Sequence, residues 1–109
     1  MNHPRLDPAT RFDRVVDALK DSPGVTQSTM KGFGHGGLMV HGKLFAILRG
    51  EALLLKLPAT QVAMLIVAGE ADPFDAGKGR PMKQWALLRA DATADWLDLA
   101  REAMVFVAG

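Results

Sequence analysis

The sequence predicts an α+β fold in which helices at the start, middle and end of the chain pack on an antiparallel sheet. Two observations indicate this class. Residues 36–57 form three short apolar runs with breaks at His41-Gly42 and Arg49-Gly50, and two-residue breaks that end in glycine are typical of tight hairpins. On both sides of this meander, apolar residues recur at helical spacing.

The first helix is predicted over about residues 8–21. Asp7 supplies a side-chain acceptor at the N-cap, and Pro8 occupies the first helical position, where a missing N–H costs nothing. Residues 22–24, Ser-Pro-Gly, end the helix, and residues 25–30 form a β-branched, mostly polar strand. One apolar stripe of this helix consists of Phe12, Val15, Val16 and Leu19.

The meander leads into a second helix. Residues 44–48 are apolar on both faces of a strand, so we expect a central strand that is at least partly covered on both sides. In the next run Leu53, Leu55 and Leu57 share one face. Pro58 begins the second helix and Gly69 is the residue expected just after its end.

The last third of the chain is predicted to contain a loop, a strand and a helix. Residues 70–80 are rich in turn formers. Residues 82–89 alternate in the way expected of a strand, and Thr93 is the predicted N-cap of the final helix. The apolar stripe of that helix consists of Trp96, Leu99, Ala100, Ala103 and Val107.

Length and composition predict a single domain over residues 1–109. A chain of 109 residues buries roughly 65% of its unfolded surface. The absence of cysteine excludes disulfides and thiolate metal sites. The N-terminus lacks the apolar segment of a signal peptide, and the longest apolar run, residues 62–68, is too short to cross a bilayer. We therefore expect a cytoplasmic protein that does not enter the membrane.

Positive charge is concentrated in two segments, although the net charge is only +1. Residues 31–56 carry four cations and one acid, and residues 77–90 carry four cations and no acid. Aromatic surface beside cations is a combination found in proteins that bind single-stranded nucleic acids. The candidate contacts to an anion or a nucleic acid are Lys78, Arg80, Lys83, Trp85 and Arg89. Two alternatives stay open: internal pairing of basic strands with acidic helices, and packing of Trp85 beneath a helix.

The second predicted helix is apolar nearly all round. A short helix without a polar face either lies inside the core or exposes an interface. Because other helices compete for the same sheet face, we favour an interface and a homodimer that uses this helix or a sheet face. The candidate interface residues are Val62, Met64 and Val67.

Two segments match the residue spacing of nucleotide-binding motifs but lack the structural context that those motifs require. Residues 32–37 fit GxGxxG, but a hairpin follows where the dinucleotide fingerprint requires a helix. Residues 37–43 fit GxxxxGK, but Leu44 replaces the Ser or Thr that would bind Mg²⁺. His3, His35 and His41 show no metal-binding spacing. We therefore predict no catalytic residues, no metal and no cofactor.

A longer series of residues is spaced as in a known family. It comprises Phe33-Gly34, Gly42-Lys43-x-Phe45-Ala46, Leu55-Lys56-Leu57-Pro58, Ala68-Gly69, Pro73-Phe74-Asp75, Gly79-Arg80-Pro81-Met82-Lys83-x-Trp85 and Asp95-Trp96-Leu97-x-Leu99-Ala100-x-Glu102-Ala103-x-x-Phe106-Val107. With this series the chain resembles, from about residue 8 onward, the TfoX N-terminal domain family, specifically its short stand-alone members, which also resemble the YjbR/MmcQ group. The resemblance implies a two-layer fold similar to type III secretion chaperones and supplies no catalytic residues.

Three functions are compatible with these observations. We favour the first, a non-enzymatic regulatory or protein-interaction domain of the TfoX N-terminal type, and keep the other two as alternatives. The second is a nucleic-acid-binding protein that uses the basic segment of residues 78–89. The third is a small-molecule-binding protein with a pocket between the sheet and the glycine loop of residues 32–37.

Overall fold

The computed structural model describes residues 7–28, 36–75 and 79–109, and it confirms the predicted α+β class. Six strands within these ranges form one antiparallel sheet in the order β1-β2-β3-β4-β6-β5. No helix of the described residues is long and apolar enough to cross a membrane. The elements are α1 (Pro8–Leu19), β1 (Val25–Gln27), β2 (Leu38–Val40), β3 (Lys43–Arg49), β4 (Ala52–Lys56), α2 (Ala59–Val67), β5 (Ala71–Pro73), β6 (Trp85–Leu88) and α3 (Trp96–Ala108).

Two tight turns connect the central strands, as the sequence predicts. His41 and Gly42 join β2 to β3 with φ values of 51° and 79°, the left-handed conformation that a type I′ hairpin requires at both positions. The second turn lies one residue later than the predicted break, because Arg49 still pairs with Ala52 and extends β3. Gly50, with φ of 61°, therefore opens that turn.

Strand β3 contains one extra residue opposite β2. Leu38 pairs with Ala46 and Met39 pairs with Leu44, so Phe45 is left without its own partner in a β-bulge. As a result Phe45 and the next residue, Ala46, both face the helices, and both are fully buried in the main core.

The same bulge directs Leu44 and Ile47 to the opposite face of the sheet. Gly37 approaches this face closely. A β-carbon placed on Gly37 would lie 2.5 Å from Leu44 Cδ1 and 3.3 Å from Ile47 Cδ1. Since Ile47 is only 5% exposed, β3 is a central strand that is covered on both faces, as expected.

The main core lies between the sheet and the three helices. Helix α3 packs over β2, β3 and β4, α1 packs against α3, and α2 packs over β5 and β6. The alternation predicted for β4 is confirmed, because its core-facing leucines are fully buried. The largest fully buried side chains are Phe12, Phe45, Leu19, Leu38, Leu53, Leu55, Leu57, Leu88, Val15 and Val40.

Two local predictions for the last third of the chain were wrong, and the strand predicted over residues 82–89 is shorter, because β6 spans only Trp85–Leu88. Residues 71–73 were predicted as loop but form the edge strand β5. Asp and Pro are poor strand formers and are tolerated best at an edge. The N-cap of α3 is Asp95, whose side chain accepts a hydrogen bond from Leu97 N–H, and not Thr93. Thr93 instead donates its hydroxyl to Glu70.

Replacing Leu55 by Ala tests the packing of this core. Leu55 is fully buried, and its neighbours across the sheet are both alanines, Ala46 and Ala86, so little nearby side-chain volume can fill the cavity. We expect Leu55→Ala to lower the free energy of unfolding by about 2–5 kcal/mol, measured by urea denaturation. The control Val105→Ala, at a side chain 65% exposed, should change it by less than about 0.5 kcal/mol. Equal effects would contradict the described packing.

Candidate functional site

A cleft of about 500 Å³ opens where β4 ends and β6 and α2 begin. Its position follows from the sheet register, which pairs Lys56 at the end of β4 with Trp85 at the start of β6. A hydrogen bond of 2.9 Å from Leu57 N–H to Gln84 O continues this pairing. We call this cleft the basic cleft. The described residues that line it are Lys56, Ala59, Arg80, Pro81, Met82, Lys83, Gln84 and Trp85.

The basic cleft carries positive charge that no carboxylate of the described residues neutralises. Lys56, Arg80 and Lys83 line it together, and none of the described residues around it is acidic. None of these three cations forms an ion pair within the described part of the chain. Uncompensated cations in a concave surface raise the local concentration of anions. The arrangement is therefore suited to an anionic ligand.

Trp85 provides an aromatic wall inside this positive region. Its ring is half-buried, and Lys56 Nζ lies 5.4 Å from the ring centroid, within the range of a cation–π contact. An aromatic ring flanked by cations can stack on a planar group whose attached anion the cations bind. The ligand that fits is thus both planar and negatively charged.

The first turn of α2 adds a further positive contribution. Ala59 lines the basic cleft, and the N-cap residue, Pro58, makes no side-chain hydrogen bond to the first turn. The first backbone N–H groups of a helix have no partner within the helix, and the helix dipole places partial positive charge there. This helix end therefore reinforces the field of the three cations.

The structure brings together three of the five residues predicted as anion contacts. Arg80, Lys83 and Trp85 share the basic cleft, and Lys78 lies outside the described residues. Arg89 is at the opposite end of β6. Lys56 was missed from the sequence, because its pairing with Trp85 depends on the register of two strands that are distant in sequence.

Arg89 belongs to a second, internally neutralised cluster of charges. Its Nε lies 3.0 Å from Asp91 Oδ1, and its Nη1 lies 3.8 Å from Asp72 Oδ1. The hydrogen bond and the charge of Asp91, followed by the charge of Asp72, raise the pKa of Arg89. Since two carboxylates already neutralise Arg89, this end of the sheet offers much less net charge to an anion than the basic cleft does.

Glu70 fixes the segment that leads into α3. Its carboxylate accepts hydrogen bonds from Thr93 Oγ1 at 2.7 Å, from Thr93 N–H at 3.1 Å and from Ala94 N–H at 2.8 Å. The Thr93 hydroxyl, then the Thr93 amide, lowers the pKa of Glu70 below its ordinary value of 4.5. Thr93 is thus used to tie two segments together and not as a helix cap.

The outer face of α2 is the second candidate site. Met64 is 71% exposed and Val67 is 89% exposed, whereas Val62 is 3% exposed and packs in the core. The candidate interface therefore keeps Met64 and Val67 but loses Val62. Helix α2 contains no charged residue, and Gln61 links it to α3 by donating a hydrogen bond of 2.6 Å to Glu102 Oε1.

The described part of the chain contains no group of three or more histidine and acidic side chains that could hold a metal ion. Residues 29–35, which include most of the glycine loop, lie outside the described ranges. Comparison with family models, curated proteins and solved structures finds no match to this chain. The resemblance to the TfoX N-terminal domain therefore stays a prediction from the sequence.

The hydrogen bonds to Glu70 predict a pH-dependent contribution to stability. The pKa of Glu70 is lower in the folded than in the unfolded chain, so the contribution is complete above about pH 4.5 and is lost as pH falls through the folded pKa. We expect Glu70→Gln to be less stable than the parent protein at neutral pH, with a difference that shrinks below about pH 4.5. Urea denaturation across this pH range measures it.

Thr93→Val provides the reciprocal variant, because it removes only the hydroxyl donor and keeps the amide bonds. Its destabilisation should be smaller than that of Glu70→Gln at neutral pH and should shrink in the same direction on acidification. A stability difference for Glu70→Gln that stays constant with pH would contradict the assigned role of this carboxylate.

Proposed function

We propose that this protein is a non-enzymatic nucleic-acid-binding domain that contacts phosphates in the basic cleft. One observation carries the proposal: Lys56, Arg80 and Lys83 line one cleft with Trp85 and form no ion pair within the described residues. Cations that bind phosphates, next to an aromatic ring on which a base stacks, are the two elements of sequence-tolerant nucleic-acid binding.

The nucleic-acid class is favoured over a small inorganic anion by the shape of the site. A cleft of about 500 Å³ with a tryptophan wall is far larger than a phosphate or sulfate ion requires. A nucleotide unit uses both the ring and the cations. Base stacking on an aromatic side chain contributes about 1–3 kcal/mol, which phosphate contacts alone do not supply.

The double variant Arg80→Gln/Lys83→Gln tests this function. Each phosphate contact removed should flatten the dependence of log K on log salt by about 0.7–0.9, so we expect weaker binding and a slope smaller by roughly 1.4–1.8. Fluorescence anisotropy with a labelled oligonucleotide at several salt concentrations measures both quantities.

The matched control is Arg14→Gln/Arg101→Gln, which removes the same charge from α1 and α3. Both arginines are exposed and form no ion pair within the described ranges. The control should bind nearly as the parent does. No salt-dependent binding by the parent protein at low ionic strength, or equal losses in the two double variants, would contradict the proposal.

The outer face of α2 supports a second candidate function, a regulatory or protein-interaction domain that forms a homodimer. Met64 and Val67 are two of the three large apolar side chains most exposed in the described residues. A helix face without charge can pair with its own copy across a two-fold axis, because no like charges are brought together. The resemblance to the TfoX N-terminal family agrees with such a role.

Met64→Lys and Val67→Lys test the dimer. Each variant would bring two like charges into a two-fold interface, so we expect the parent protein to have a dimeric mass and the variants a monomeric mass at micromolar concentration. Light scattering after size-exclusion chromatography measures the mass. The control Val105→Lys, at another exposed apolar residue, should stay dimeric. A monomeric parent protein would dispose of this candidate.

A further inference from the structure

A second cleft, of about 440 Å³, adjoins the basic cleft. Lys56 and Trp85 belong to the walls of both clefts, so the two clefts lie on either side of this cation–π pair or open beside it. Phe106, from the end of α3, contributes a second aromatic ring. The described residues that line the second cleft are Lys43, Leu44, Lys56, Trp85, Phe106 and Val107. We call the two clefts together the basic groove.

The sheet topology explains why the basic groove collects cations. Lys43 begins β3 and Lys56 ends β4, and antiparallel neighbours place the start of one strand beside the end of the next. Lys43 is exposed and, like the other three cations, forms no ion pair within the described part of the chain. Lys43, Lys56, Arg80 and Lys83 thus line the groove, and its described walls contain no carboxylate.

At the opposite end of the same strands, carboxylates lie beside the cations: Arg49, Glu51, Asp72, Arg89 and Asp91 line one depression. There Arg89 lies between Asp91 and Asp72. The larger positive charge therefore lies at one end of the sheet, where four cations are spread over the walls of the two clefts. A linear anion is complementary to a line of cations, whereas a compact anion is complementary to a single pocket.

We propose that the basic groove binds a single-stranded polynucleotide across both clefts. The strand passes Arg80 and Lys83, stacks one base on Trp85, and continues to Phe106 and Lys43. This inference rests on the proposed nucleic-acid function and adds the ligand form and the second half of its path. Stacking on Trp85 and Phe106 requires exposed base faces, which a duplex keeps inside its own stack.

The architecture of the groove also favours a single strand. Duplex readers commonly insert a helix or a β-ribbon into the major groove. Here the walls consist of strand ends, a helix start and a helix end, which form a depression. Flexible single strands enter such depressions, and aromatic side chains with surrounding cations hold them without base-specific hydrogen bonds.

The test compares variants in the second cleft by fluorescence anisotropy. The probes are labelled oligothymidylate, labelled oligouridylate and a labelled duplex of the same length. We expect Phe106→Leu to weaken single-strand binding about 10-fold through lost stacking, and Phe106→Tyr to restore it. Lys43→Gln should flatten the salt dependence of log K by about 0.7. The duplex should bind more weakly than either single strand.

Two control variants match these changes elsewhere in the molecule. Phe74→Leu removes an aromatic ring that lies near Arg49, 5.4 Å from its guanidinium carbon. Arg14→Gln removes an exposed cation of α1 that forms no ion pair within the described residues. Both should bind as the parent does. Thermal melting checks that Phe106→Leu is folded. If this variant is unfolded, the salt dependence of binding by Lys43→Gln tests whether the second cleft contacts the strand.

The outcomes separate this inference from the proposed function. If the parent protein binds and Arg80→Gln/Lys83→Gln weakens binding, but the second-cleft variants change neither affinity nor salt slope, the inference is wrong and the proposed function stands. Equal or tighter binding of the duplex likewise overturns the inference alone. If the parent binds no nucleic acid at low salt, both are wrong.

Discussion

The register of β4 between β3 and β6 is the constraint on which the rest of the structure depends. Because side chains alternate along a strand, burial of Leu53, Leu55 and Leu57 against the helices forces Lys56 to the other side, beside its partner Trp85. A slip of one residue would bury the lysine and expose the leucines. Core packing and the basic cleft are thus two results of the same pairing.

Charge follows this architecture. The end of the sheet where β4 stops gathers cations without acidic partners among the described residues, whereas at the other end Arg89 pairs with Asp91 and Asp72. The net charge of +1 hides this separation. A nearly neutral protein can therefore present a directed positive field, because the distribution of charge and not its sum determines what an approaching anion meets.

Local sequence signals predicted most of the fold. Asp7-Pro8 marks the start of α1, and His41-Gly42 marks a turn because its conformation depends on those two residues alone. Contacts between residues that are far apart in the sequence could not be predicted from it. Glu70 binds Thr93, and Lys56 pairs with Trp85, only after the sheet has formed. Only part of the candidate site was predicted. Arg80, Lys83 and Trp85 are near one another in sequence, whereas Lys56 and the first turn of α2 come from elements that are distant in sequence.

The bulge at Phe45 has a consequence for how this sequence can change over time. The extra residue lets Phe45 and Ala46 face the helices together while the next positions on either side face away. Losing or gaining one residue there would reverse the orientation of Lys43 and Leu44 relative to the rest of β3. We therefore expect descendants of this chain to keep the number of residues at the bulge constant, and to keep the two buried positions apolar.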